Sequence, residues 1–153
     1  MLIAQFATPT LANASASEAN DRRHNRPKGK VLDLGCGKGG DLQKWQKSRA
    51  ELFVGLDIAE TSISQARERA TSLRSAGGFR AEFFTLDCYS RPLSDVLDKT
   101  MLEKPFDVVS MQFCMHYAFE NISKVRMMLE NVARYLRPGG RFVGTIPNAS
   151  WLL

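Results

Sequence analysis

The chain has 153 residues, of which 44% are hydrophobic and 24% charged, with a net charge of +5. That is enough for one domain with a sizeable core, and no apolar stretch is long enough to span a bilayer. The N-terminus has no basic region followed by an apolar core and a cleavage site, so it does not read as a secretory signal.

Residues 1–6 are apolar and are expected as the last turns of a helix. Residues 7–29 are rich in Ala, Ser, Asn, Thr and Pro, then charged, with no period; they read as a flexible linker. Residues 1–29 thus stand apart from a domain over 30–153. A first strand is predicted at 30–34. A short helix follows at 41–48, with Leu42 and Trp45 on one face. A second strand covers 51–57. A long helix covers about 60–75, its apolar stripe being Ile63, Ala66, Ala70 and Leu73, with Gly77 and Gly78 as its stop. The third strand is predicted at 79–86 and runs into Asp87. Residues 88–104 read as a connection holding one short helix near 93–99. The fourth strand covers 106–113. The last helix, about 122–136, carries Val125, Met128, Leu129, Val132 and Leu136, and Arg137, Pro138, Gly139 and Gly140 end it. A fifth strand is predicted at 141–146.

Strand and helix alternate throughout, which predicts an α/β, Rossmann-like fold with a parallel sheet covered on both faces. Right-handed crossovers give the strand order 3-2-1-4-5. A ligand then belongs at the C-terminal ends of strands 1 and 4, where the order reverses. The residues predicted there are the glycine loop after Leu34, Asp57, Asp87 and the stretch from Gln112 to Tyr117.

The glycine loop admits two readings. Gly35, Gly37 and Gly40 satisfy the dinucleotide pattern GxGxxG, with Asp57 at 22 positions beyond Gly35. Asp33, Gly35, Gly37 and Gly39 satisfy instead the acid-led form of the loop that binds S-adenosylmethionine. The acid favours the second reading. A carboxylate inside the first strand opposes a pyrophosphate but suits a cationic ligand without phosphates. Asp57 suits ribose hydroxyls, and Asp87 suits an adenine amino group. The plainer alternative for each acid is a helix cap or a solvated loop.

The charge is uneven. Residues 22–49 hold nine Lys and Arg against two acids, a local charge of +7. A positive field around the loop fits a polyanion such as RNA, or a solvated basic linker. The three cysteines, Cys36, Cys88 and Cys114, fit no zinc spacing and are expected as free thiols of a reducing compartment.

Five stretches are more specific than any generic loop: 32–45, with Gly-Lys-Gly-Gly-Asp-Leu; 55–59; 112–120, with Gln-Phe-x-x-His-Tyr-x-Phe-Glu; 138–140; and 145–148. Together they resemble the eukaryotic mRNA cap guanine-N7 methyltransferases. The resemblance implies S-adenosylmethionine as cofactor, held by Gly35, Asp57, Asp87, Gln112 and Tyr117. It implies capped RNA held by Lys38, Lys44, Arg69 and His116. No catalytic side chain is implied, because guanine N7 offers a free lone pair and needs no general base. The resemblance further implies the nucleus as location, the capping or transcription machinery as partners, and neither membrane nor metal. In the family the domain extends further at both ends, so the chain is expected to lack an upstream helix and the last two strands. A small-metabolite methyltransferase, a non-catalytic RNA-binding fragment and a nicotinamide-dependent oxidoreductase are the competing readings.

Overall fold

The computed structural model describes residues 3–14, 29–73, 79–148 and 150. The five strands are β1 (Lys30–Leu34), β2 (Leu52–Asp57), β3 (Arg80–Thr85), β4 (Phe106–Gln112) and β5 (Leu136–Thr145). They pair in parallel in the order β3-β2-β1-β4-β5, as alternation of strand and helix requires. The helices are α1 (Thr8–Ala14), α2 (Leu42–Lys47), α3 (Glu60–Leu73), α4 (Lys99–Glu103) and α5 (Ile122–Tyr135).

The period of two in each strand divides the core between the faces. Val31, Phe53 and Val108 pack with Leu11, Trp45, Ile63 and Ala66, so α1, α2 and α3 cover one face. Leu32, Leu34, Val54, Leu56, Val109 and Met111 pack with Leu93, Met128 and Val132, so α5 and the 88–104 connection cover the other. Trp45, Phe53, Phe106 and Met111 are fully buried. Each such side chain contributes about 1.5–3 kcal/mol by leaving water.

Three expectations are corrected. The linker reading of 7–29 fails at its start, where α1 is helical and seats a buried Leu11 on the core. Its fastening is long-range: Thr8 and Ser48, forty residues apart, share a hydroxyl hydrogen bond of 2.8 Å. Residues 15–28 lie outside the described residues, as do Gly77 and Gly78. The 88–104 connection holds two short helical pieces, a 3₁₀ turn at Leu93–Asp95 and α4. The turn expected between the last helix and the last strand is taken into β5. Leu136 pairs with Phe106 and Arg141 with Val108, so the intervening residues bulge out, with Gly139 at φ +74°.

Candidate functional site

The loop after β1 is folded back onto β2. The N–H groups of Gly35 and Cys36 both donate to the Leu56 carbonyl, at 2.8 and 2.9 Å. Gly35 has φ +74°, and a Cβ there would lie 2.6 Å from the Cys114 sulfur, so only glycine fits. Nothing lies within 4 Å of where a Gly37 Cβ would be, so that backbone is open to a ligand. A Cβ on Gly39 would lie 2.5 Å from Leu42 Cδ1, which is the close helix packing expected of a loop of this kind.

Asp57 ends β2 and ties the loop to the sheet. Its Oδ2 accepts from Gly37 N–H and its Oδ1 from Ala59 N–H, both at 2.9 Å. Asp87 follows β3 and is held the same way: Oδ1 accepts from Tyr89 N–H at 3.0 Å and Oδ2 from the Ser90 hydroxyl at 2.7 Å. Asp57 is therefore braced by the glycine loop as well as its own, and Asp87 by its own loop, each with lone pairs left over.

These two acids face a cleft of about 180 Å³ lined by Gly35, Asp57, Ile58, Leu86, Asp87, Cys88, Tyr89, Cys114 and Tyr117. Among the described residues the lining holds two carboxylates and no Lys or Arg. Four of the expected cofactor residues, Gly35, Asp57, Asp87 and Tyr117, thus share one wall. Ile58, Leu86, Cys88, Tyr89 and Cys114 complete it; Cys114 falls within the predicted Gln112–Tyr117 stretch, and the other four were missed, because none carries a motif of its own. Adjacency was their only signal: Ile58 follows Asp57, and Cys88 and Tyr89 follow Asp87. The Tyr89 hydroxyl donates to the Cys114 carbonyl at 2.7 Å, joining the β3 and β4 loops.

Cys36, Cys88 and Cys114 are free and buried. Burial pushes Cys114 up to about 11 and Cys88 up to about 12, and moves Cys36 and Tyr89 upward as well. Cys88 and Cys114 line the cleft as neutral thiols and offer no thiolate nucleophile near neutral pH.

Asp33 lies in β1, two residues before Gly35, and is 4% exposed. Burial pushes its carboxyl up to about 7, opposed by a hydrogen bond from Ser110. Its Oδ1 is buried without a partner. A carboxylate in that position is costly unless a cation or donor meets it.

Gln112 does not line the cleft. Its amide spans β4 and β5, donating to the Ser110 hydroxyl and accepting from Thr145, each at 3.1 Å. His116 packs on Tyr117 with ring centroids 4.2 Å apart, and its Nδ1 is buried without a partner. Lys38 is exposed on the glycine loop. Lys44, expected to face RNA, forms an ion pair with Asp41 one turn earlier. Arg69 is exposed on the outer side of α3, away from the cleft lining. Of the expected RNA contacts the structure therefore brings only His116 against a residue of the cleft wall. Among the described residues no cluster could hold a metal ion, and no helix is long and apolar enough to cross a membrane.

The model of the mRNA (guanine-N(7))-methyltransferase domain matches residues 10–153. The chain belongs to this family. Among mRNA cap guanine-N(7) methyltransferases, that of Cryptococcus neoformans is 60% identical over 129 residues, covering 84% of this chain and 21% of the relative. That of Schizosaccharomyces pombe is 49% identical over 119 residues, covering 78% and 32%. That of Caenorhabditis elegans is 40% identical over 142 residues, covering 91% and 36%. The chain thus spans between about a fifth and about a third of the length of these cap methyltransferases. Among solved structures, the PH0226 protein of Pyrococcus horikoshii superposes with a TM-score of 0.57 at 28% identity, covering 90% of this chain and 55% of that one. A SAM-dependent methyltransferase of Thiobacillus denitrificans, solved with S-adenosyl-L-homocysteine, gives a TM-score of 0.55 at 23% identity, covering 89% and 47%; at that identity the likeness is one of fold.

Proposed function

We propose that this chain carries the S-adenosylmethionine-binding part of an enzyme that methylates N7 of the guanosine cap of mRNA. The observation that carries the proposal is the charge of the cleft: Asp57 and Asp87 line it, Asp33 lies buried beside its glycine loop, and among the described residues no Lys or Arg faces it. Such a cleft repels a dinucleotide pyrophosphate and suits a cationic nucleoside.

The residues fit the cofactor. Asp57 would accept from ribose hydroxyls and Asp87 from the adenine amino group, each already oriented by its loop. Ile58, Leu86 and Tyr117 supply apolar and flat surface for the base. The open backbone at Gly37 admits the ligand, and Asp33 supplies the carboxylate for its cationic end. When bound, S-adenosylmethionine supplies a methyl group on a sulfonium that guanine N7 attacks with its free lone pair. The protein has no proton to remove. Its task is to hold the two reactants in line, about 3–3.5 Å apart before attack, and neutral thiols beside the cleft suit that passive role.

The cap side rests on His116, Lys38, Lys44 and Arg69. His116 and Tyr117 give rings on which a purine stacks. The cations suit the triphosphate bridge, and Lys44 must exchange Asp41 for phosphate to contribute. The reading carries the nucleus as location and the capping or transcription machinery as partners. The test is a calorimetric comparison of S-adenosylmethionine with NAD on this chain, followed by methyl transfer to capped RNA by the longer protein. Binding of NAD in preference, or methyl transfer to small metabolites and none to capped RNA, would overturn it.

A further inference from the structure

Asp87 and Tyr117 reach the cleft on loops from separate strands, and one side chain ties those loops together. Tyr89 stands on the loop after β3. Its N–H donates back to Asp87 Oδ1 at 3.0 Å. Its hydroxyl donates forward to the Cys114 carbonyl, 25 residues ahead, at 2.7 Å. That carbonyl also accepts the Tyr117 N–H, at 3.1 Å, at the start of the 3₁₀ turn Met115–Glu120. Asp87, Tyr89, Cys114 and Tyr117 thus form one hydrogen-bonded series, and all four line the cleft. A phenol facing a carbonyl can only donate, and so can a backbone N–H, so the series has one direction.

Both sides of the series are anchored. Behind the β3 loop, Asn131 of α5 donates to the Cys88 and Arg91 carbonyls. On the far side, the Cys114 thiol donates to the Leu34 carbonyl at 3.1 Å, one residue before the glycine loop. Among the described residues, the Tyr89 hydroxyl makes the one hydrogen bond between the β3 loop and the segment that carries Tyr117. Its loss is cheap for folding. The Cys114 carbonyl would keep the Tyr117 N–H, so removing the hydroxyl leaves no buried group unpaired.

We propose that Tyr89 is a positioning residue for the base of the cofactor: its hydroxyl fixes the gap between the Asp87 wall and the Tyr117 wall, so that a 6-aminopurine resting on Tyr117 meets Asp87. The proposal rests on the reading of the cleft as a site for S-adenosylmethionine, and it adds a basis for choosing between purines. A carboxylate accepts from the 6-amino group of adenine, whereas the 6-carbonyl of hypoxanthine offers it only lone pairs. That choice depends on alignment, since a hydrogen bond weakens steeply with distance and angle. In Tyr89→Phe the ring still lines the cleft, but the two walls are free to part. Asp87 then loses its alignment with a base held on Tyr117.

The test compares this chain with Tyr89→Phe, Asp87→Ala and the double variant. Calorimetry measures affinity for S-adenosylhomocysteine and for S-inosylhomocysteine, which has a 6-carbonyl in place of the amino group. The native chain is expected to prefer the adenosine compound by about tenfold or more, since hydrogen bonds to charged groups are the strong ones. Tyr89→Phe brings that preference within about threefold, chiefly by weakening the adenosine compound. Asp87→Ala abolishes the preference, and adding Tyr89→Phe takes nothing further, because Tyr89 acts through Asp87. Without ligand, hydrogen exchange of the Tyr117 amide is faster in Tyr89→Phe, at a nearly unchanged unfolding midpoint. A merely structural tyrosine would instead lower the midpoint and weaken both compounds alike. A native chain without preference, or a preference kept in Tyr89→Phe, overturns the proposal. If the native chain binds neither compound, the reading of the cleft fails, and the Tyr117 exchange rate still decides whether Tyr89 holds the walls together.

Discussion

At the scale of single residues, Asp57 joins two tasks in one carboxylate. It braces Gly37 and caps the start of α3 through Ala59, and its remaining lone pairs face the cleft. Asp57→Ala is expected to weaken S-adenosylmethionine about 100-fold or more by calorimetry, since charge-assisted hydrogen bonds contribute about 1.5–3 kcal/mol each. Undiminished affinity would remove Asp57 from the site. Asp33 gives a pH signature of a different sign from an exposed acid. Burial raises it from 3.8 to about 7, so the folded state holds the proton that the unfolded chain has released. The stability it contributes is full below pH ~4 and lost as pH rises through about 7. Asp33→Asn should therefore be more stable than the native chain at pH ~8, by on the order of 4 kcal/mol, and equal to it near pH ~4. Urea denaturation at the two pH values checks this, and the same substitution should abolish cofactor binding. Asp57 and Asp87 were legible in the sequence because acids at the ends of successive parallel strands have a fixed place. Tyr89 was not, because a loop residue's direction depends on hydrogen bonds that no spacing encodes.

At the scale of elements, α5 does more than cover the sheet. Its Asn131 is buried and makes three hydrogen bonds to the loop after β3: Oδ1 accepts from Leu93 N–H at 3.1 Å, and Nδ2 donates to the Cys88 and Arg91 carbonyls at 3.0 and 2.9 Å. This clamp holds the stretch that carries Asp87 and Tyr89. Asn131→Ala leaves two buried backbone groups and one half-buried carbonyl without this partner and should cost about 3 kcal/mol, read as a lower unfolding midpoint, with a weaker hold on the cofactor. The sequence marked α5 clearly, since Val125, Met128 and Val132 keep a helical period. It could not mark Asn131, which occupies an apolar stripe as a polar residue and declares its purpose only through its partners. The reverse holds for α1. One buried leucine in seven residues makes no period, so the segment looked like linker, yet its placement over the core is what makes it helical.

At the scale of the whole molecule, strand order and switch point were readable because parallel alternation leaves few topologies. What the sequence could not yield was which cations meet RNA, since exposed lysines and arginines look alike wherever they stand. Four of the cations in the basic stretch, Arg22, Arg23, Arg26 and Lys28, lie outside the described residues. If this stretch tracks the RNA backbone, neutralising all four should flatten the log–log salt dependence of RNA binding by about 0.7 for each phosphate no longer paired with a cation. A slope that does not change assigns the phosphates to Lys38, Lys44 and Arg69. One consequence concerns time rather than structure. Among the described residues β5 pairs only with β4, and sheet edges open far more often than centres. Because the Phe113 N–H is fastened to Thr145 on that edge and the next residue, Cys114, lines the cleft, each local opening of β5 should be felt at the cleft. The Phe113 amide is the natural clock for it: its hydrogen exchange reports the opening, and bound S-adenosylmethionine should slow it.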